Sequence, residues 1–396
     1  MKAIDETGIQ QAPAAGLDSE WKLLLAACAT VPQTEKAARI GSSLQSAIRW
    51  NPLFYLADQH GLTCLLYRSL SGFRDIVPVA EMRELVRRYE SNLHKVLLTA
   101  RELIRILDRL DSLEIDIMPY KGLALAETLY GDIAARQAGD IDLLIHARDL
   151  ARIKDAVQDL GYTTHLALSE KEEQAYLVSG YECAFDGAAG KNLLEVHWAV
   201  QPRFYAVDFD IESLFRRAEP VTVAGRNVRT LSLEDQVLVL SVHAAKHMWK
   251  RLIWLCDIAR LMHLPAVDWN WIETEARDLG ILRILRVTLL LAQHLLQAAI
   301  SPAIAETTIG DTEAQTWSES IAAQIMSGAS LDVESMPYFQ TMMRLRERRR
   351  DRVRFLWRLA LTPGPGEWKS VHLPAPLFPF HRLVRLSRLA AKFSSR

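Results

Sequence analysis

The run Gly139-Asp140-Ile141-Asp142-Leu143-Leu144-Ile145 constrains the fold more than any other stretch of this 396-residue chain. Its period-two alternation predicts a strand over Asp140–Ile145, with Ile141, Leu143 and Ile145 turned into a core. Asp140 and Asp142 then project together from the opposite face. Two ionised carboxylates about 4 Å apart repel by roughly 4 kcal/mol at the effective dielectric near a protein surface. Water, a basic side chain or a bound cation must offset that repulsion. An Asp-X-Asp alone suits a solvated turn equally well, so the surrounding pattern decides.

A second stretch, NLLEVHWAV, alternates in the same way. It places Leu194, Val196, Trp198 and Val200 on one face and Glu195 and His197 on the other. Three carboxylates from neighbouring strands, Asp140, Asp142 and Glu195, make an oxygen-rich set suited to Mg2+. Two such ions about 4 Å apart can bind a nucleoside triphosphate, activate an attacking oxygen and neutralise departing pyrophosphate. Glu195 alone also suits an edge-strand surface. His197 reads as a support for a ligand rather than a ligand itself.

The periodicity around these strands divides the chain. Residues 1–18 read as a flexible leader, and 19–113 as a helical region with apolar residues at three- and four-residue spacings. Over 114–230 the period shifts. Glu114–Tyr120 is a short strand, Lys121-Gly122 a turn, and LALAETLYG a helix closing at Gly131. After Asp140–Ile145 comes an amphipathic helix stopped at Gly161. YECAFDG and NLLEVHWAV form a hairpin around Gly187–Gly190, and VTVAGRNVRT a smaller one. Residues 231–300 are helical, opened by a Ser232/Asp235 cap, with one long segment running to His263. Residues 301–396 form a helical, basic extension: a helix over Thr341–Leu361, a turn at TPGPGEW and a proline-broken tail. The expected class is α+β, a small mixed sheet flanked by N-terminal and C-terminal helical regions.

Composition narrows the function classes. The formal net charge is −1 and charged residues make up 24% of the chain, so no global field argues for a nucleic-acid or acidic partner. Four cysteines without CxxC spacing disfavour a zinc site or disulfide framework and make a reducing cytoplasm the expectation. The N-terminus does not read as a signal peptide, and no stretch approaches the roughly 18 apolar residues of a membrane span.

Lys121-Gly122, the aromatic Tyr130, Arg136, Gly139-Asp140-Ile141-Asp142 and Glu195-Val196-His197-Trp198 resemble the family of uncharacterised nucleotidyltransferases, within the DNA polymerase β-like superfamily. The downstream HAAKHMWKRLIWLCDIARL fits the same family. Where the superfamily carries Gly-Gly or Gly-Ser after the first strand, this chain has Lys121 and Gly122-Leu123. The resemblance implies a nucleotidyltransferase core and transfer of a nucleoside monophosphate from an NTP, ATP by default, to an unknown acceptor. It makes Asp140, Asp142 and Glu195 both catalytic residues and ligands of two Mg2+ ions, with Mn2+ as a substitute. It assigns Lys121, Gly122, Arg136, Gly139, His243 and Lys246 to the nucleotide.

Several of these residues carry a second reading. Gly122 lets backbone amides approach a phosphate at a helix N-terminus, where Lys121 adds a full positive charge; a plain strand-to-helix turn is the alternative. Arg136 suits a phosphate contact or a balance for Asp132. On a continuous helix His243, Lys246, His247, Lys250, Trp254 and Asp257 fall along one stripe, facing either a nucleotide cleft or solvent. Zinc at His243 and His247 lacks a third ligand. Arg344–Arg358 holds eight arginines against two acids and suits an anionic partner or a solvated helix. Two other function classes stay open: a non-catalytic nucleotide-binding or scaffolding protein on the same fold, and a toxin-like transferase acting on RNA or protein.

Overall fold

The computed structural model describes residues 16–137, 139–166, 168–187, 192–329 and 335–394. The expected leader falls almost wholly outside the described residues, as does most of the turn expected around 187–190. Five strands, β1 (Ile117–Pro119), β2 (Ile141–Ile145), β3 (Thr163–Thr164), β4 (Glu182–Asp186) and β5 (Leu193–His197), form a mixed sheet in the order β1-β2-β5-β4-β3. β2 and β5 run parallel, and the other neighbours are antiparallel. A separate hairpin pairs β6 (Glu219–Val223) with β7 (Arg226–Thr230). The expected α+β class holds.

One face of the sheet is apolar because the strands alternate. Ile141, Leu143, Ile145, Leu194 and Val196 are buried there with Phe185. They pack on Ala100, Leu103, Leu107 and Leu110 of the long Val79–Asp111 helix and on Ile153 and Val157 of the Leu150–Asp159 helix. Each such aliphatic side chain contributes about 1.5–3 kcal/mol on burial. The other face therefore has to be roofed by a different set of helices. A larger core joins the N-terminal helices, through Leu23, Leu53 and Phe54, to Val237, Leu255, Ile284 and Leu291 of the later ones.

The structure departs from the sequence reading in several places. The first strand shrinks to β1 because Glu114 turns the backbone at φ 53°. The segment to His263 is two helices, Leu233–Lys246 and Leu252–Leu261. The basic helix over Thr341–Leu361 divides into Met336–Arg344 and Arg349–Leu361, and TPGPGEW leads into a short Pro365–Ser370 helix. Beyond its prolines, the tail forms a His381–Ser394 helix. A Glu170–Ser179 helix with a Ser169/Glu172 capping box was also not anticipated.

Candidate active site

The sheet's register brings the acids together. In the parallel pair Asp142 stands opposite Glu195 and Leu144 opposite His197, so Asp142, Glu195 and His197 share the face opposite the apolar one. β4 pairs antiparallel with β5, setting Glu182 opposite His197. Ligand atoms of Asp142, Glu195 and His197 all lie within 4.8 Å of one another. They line a cavity of about 400 Å³ together with Asp140, Lys121, Gly122 and Gly139. Asp140, just before β2, lies on this wall but outside that group of three.

His197 is tied more closely to the carboxylates than a wall residue. Its Nε2 lies 3.2 Å from Asp142 Oδ1 and 3.4 Å from Glu195 Oε2, and its Nδ1 lies 3.4 Å from Glu182 Oε2. Burial works against its charge, but Asp142 and Glu195 raise its pKa above the ordinary imidazole value. Lys121 Nζ donates to Asp142 Oδ1 at 2.9 Å. Burial likewise opposes ionisation of Asp142, and Lys121 with His197 overcomes it, holding that carboxyl below the usual range. Asp140 forms no such ion pair among the described residues: burial first, then Glu195 and Asp142, push it up to about 6 against the pull of Lys121 and Arg251. The carboxylates of Asp142 and Glu195, with His197 beside them, could hold a divalent cation. Lys121 holds an oxygen such an ion needs.

Gly122 opens the Gly122–Tyr130 helix at φ 52°, and a Cβ there would come within 3.2 Å of the Asp140 carbonyl oxygen. This is a left-handed, close-approach position that glycine fills at least cost. The turn before β2 and the turn after β1 are thereby held against each other at the cavity.

The opposite wall comes from the break between the Leu233–Lys246 and Leu252–Leu261 helices. Met248 and Trp249 adopt φ 55° and 49°, conformations costing a non-glycine residue about 1–2 kcal/mol each. Burial of Trp249, whose Nε1 donates to Thr288 Oγ1 at 2.9 Å, offsets that cost. The break turns Arg251 toward the cavity with His243, Lys246, His247 and Trp254, while Lys250 is exposed. Gly61 makes room, since a Cβ at its position would lie 3.2 Å from Arg251 Nη2. Lys246 and Arg251 form no ion pair among the described residues, and burial lowers the pKa of each. His247 is pushed down to about 3 by burial and then by Lys246, and burial lowers His243 too, so both rings are neutral. They pack with Trp254, centroids 5.0 and 5.3 Å away.

Arg136 lines the cavity but is already paired. Its Nη2 donates to Asp257 Oδ2 at 2.9 Å, and Tyr130 Oη donates to Asp257 Oδ1 at 2.8 Å. Asp257 is fully buried, so the expected stripe ends in the core rather than in the cleft. Asp132 pairs with Arg68 and caps Ala134 N instead of meeting Arg136. Most of Arg344–Arg358 is committed internally as well. Arg346 donates to the carbonyls of Tyr205 and Gly280, Arg352 to that of Arg346, and Arg354 to that of Ala206. Arg348 meets Asp351 and Arg358 meets Asp208.

Sequence reasoning missed Glu182 and Arg251. Alternation in YECAFDG carries the signal for Glu182, since its register with NLLEVHWAV sets it beside His197. Nothing in the local sequence marks Arg251, because the left-handed break depends on where Trp249 packs.

Among solved structures, the chain is similar to the antibiotic-resistance factor ANT(2'')-Ia in solution, at 16% identity and TM-score 0.28, covering 58% of this chain and 93% of that one. A crystal structure of ANT(2")-Ia in complex with adenylyl-2"-tobramycin gives 15% identity and TM-score 0.28, over 57% and 98% of the two chains. An antigenic nucleotidyltransferase-like protein from Paracoccidioides brasiliensis gives 17% and 0.32, over 54% and 97%. No curated protein matches. The model of the family described as uncharacterised nucleotidyltransferase matches residues 46–297, more than half of the chain, and the chain belongs to that family.

Proposed function

We propose that the protein transfers a nucleoside monophosphate from an NTP, ATP by default, to an acceptor hydroxyl or similar group, with Mg2+ as cofactor and pyrophosphate as the second product. The observation that carries this reading is the in-register pair Asp142 and Glu195, which with His197 shares one cavity with Lys246 and Arg251, two cations that form no ion pair among the described residues. Asp142 and Glu195, with Asp140 beside them, are the proposed cation ligands. When bound, the ion supplies Lewis-acid polarisation of the reacting phosphate. Glu195 would take the acceptor's proton. Lys246, Arg251 and the backbone at Gly122 and Gly139 would hold the triphosphate, with Lys121 joining them once released from Asp142. The neutral faces of His243, His247 and Trp254 suit a nucleobase. Arg136, whose Nη1 lies 3.5 Å from the Gly122 carbonyl oxygen and whose Nη2 meets Asp257, would hold the Gly122 turn rather than contact phosphate. Its four free cysteines suit a reducing cytoplasm as the place of work.

The test is incubation with each labelled NTP, Mg2+ and a cell extract. Label should appear on an acceptor with matching pyrophosphate release, and Asp140→Asn with Asp142→Asn should abolish both in a folded protein. Unchanged turnover in that double variant would remove the mechanism. The Lys121–Asp142 pair favours a second reading, in which the site senses nucleotide without turning it over. Calorimetry showing NTP binding with no product after long incubation would select it. The internal commitment of Arg346, Arg348, Arg352, Arg354 and Arg358 weighs against a macromolecule-docking arginine helix.

A further inference from the structure

Fourteen large apolar side chains are exposed among the described residues, and seven of them lie between residues 353 and 386. On the Arg349–Leu361 helix, Asp351, Phe355 and Leu359 are buried at four-residue spacing. Val353 and Trp357 point the other way, 65% and 68% exposed, with Leu356 beside them and Arg349 one turn earlier. The His381–Ser394 helix packs inward through His381, its ring tilted against Trp368 with centroids 4.2 Å apart, and Arg385, which reaches the Leu359 carbonyl. Its outer side shows Leu383 and Leu386. These continue Leu377 and Phe380 at three-residue spacing, with Arg382 exposed alongside. The side chains of Arg349 and Arg382 form no ion pair among the described residues. Charge is segregated too. Residues 336–396 hold fourteen Lys/Arg against three Asp/Glu, while the other 335 residues hold thirty-three against forty-five.

We propose that this C-terminal surface seats the protein on an anionic lipid bilayer. Leucines and aromatics would enter the headgroup–acyl boundary, and Arg349, Arg350 and Arg382 would meet lipid phosphates. Exposed aliphatic side chains interleaved with arginines are the pattern of an interfacial helix. RNA offers Val353, Leu383 and Leu386 nothing to pack on. A second copy of the same basic surface would be repelled by like charge. Among the described residues no helix is long and apolar enough to cross a membrane, which fits lying on the surface.

The test is co-sedimentation of the full chain with phosphatidylcholine vesicles, with and without phosphatidylglycerol. The protein should pellet with the anionic vesicles, release at high salt and stay in solution with the neutral ones. Trp357→Glu with Leu383→Glu should abolish binding. Should that variant misfold by circular dichroism, Arg349→Gln, Arg350→Gln and Arg382→Gln decides, since it leaves the apolar face intact. It should bind on the order of 100-fold more weakly, about 1 kcal/mol per arginine. Failure to pellet with anionic vesicles, or wild-type binding by the folded variants, would overturn the proposal. So would a concentration-dependent dimer that Trp357→Glu dissolves, or binding to single-stranded RNA in place of vesicles.

Discussion

The Lys121 ammonium lies 2.9 Å from Asp142 Oδ1, with both side chains largely shielded from water. The lysine just before the Gly122 turn is therefore the counter-charge of a carboxylate in the proposed cation site. Burial alone would lower the Lys121 pKa, yet Asp142 and Tyr120 hold it above the ordinary value. A divalent ion bound there would compete with Lys121 for one oxygen.

That competition predicts the behaviour of Lys121→Met. Without Lys121 the buried carboxylate keeps only His197 against its charge, and the metal-free variant should lose stability, toward the roughly 3–5 kcal/mol of a broken buried pair. Mg2+ should then restore more stability to the variant than to the wild type. Thermal unfolding across a Mg2+ titration measures this, and equal shifts in Tm for the two proteins would contradict it.

Arg136 and Tyr130 converge on Asp257, which is fully buried. Asp257→Ala leaves Arg136 without a partner and should cost about 3–5 kcal/mol. Adding Arg136→Met removes the orphaned charge, so the double variant should be more stable than Asp257→Ala alone. Urea denaturation of the complete cycle gives the coupling; strictly additive losses would show that the pair does not act as a unit.

His60 makes stability depend on pH in a direction that can be worked out. Its Nδ1 accepts the Leu252 N–H and its ring meets Trp21 edge-on. Burial, followed by Arg251, lowers its pKa from 6.5 to about 4. The unfolded chain takes up this proton first as pH falls. The contribution is therefore complete above pH 6.5 and is lost progressively toward about 4, amounting to roughly 3 kcal/mol. Chemical denaturation between those limits should show the slope in the wild type and a shallower one in His60→Gln. Parallel curves would assign the slope elsewhere.

Gly122→Ala should cost about 1–2 kcal/mol from the left-handed backbone alone, because Gly122 sits at φ 52° against the Asp140 carbonyl. Under the proposed function the variant should also bind NTP more weakly, since the two turns must separate. Calorimetric titration with NTP checks it, and wild-type affinity with lowered stability would confine Gly122 to a structural role.

Much of this site was legible because strands write their faces into the sequence. The alternation in IDLLI and LLEVH is real burial: Ile141, Leu143, Leu194 and Val196 are inside, while Asp142 and Glu195 share the other face. Val200 breaks the pattern, since β5 ends at His197 and the residue turns to the cavity side. What failed was continuity between helices. Apolar spacing runs on from Leu233 to His263, but the break at Met248 and Trp249 is fixed by the pocket that takes the indole, which lies far away in sequence. Arg251 is invisible for that reason. The pairing of Arg136 with Asp257 was not legible because the two stand more than a hundred residues apart.

The most direct test of the account is a crystal structure with Mn2+ and a non-hydrolysable NTP analogue, reading the anomalous signal of the metal. The expected result is a peak bonded at about 2.2 Å to oxygens of both Asp142 and Glu195, Lys121 withdrawn from Asp142, and the triphosphate between that peak and Lys246 and Arg251. Bound analogue with no peak at these carboxylates, and Lys121 still on Asp142, would contradict it.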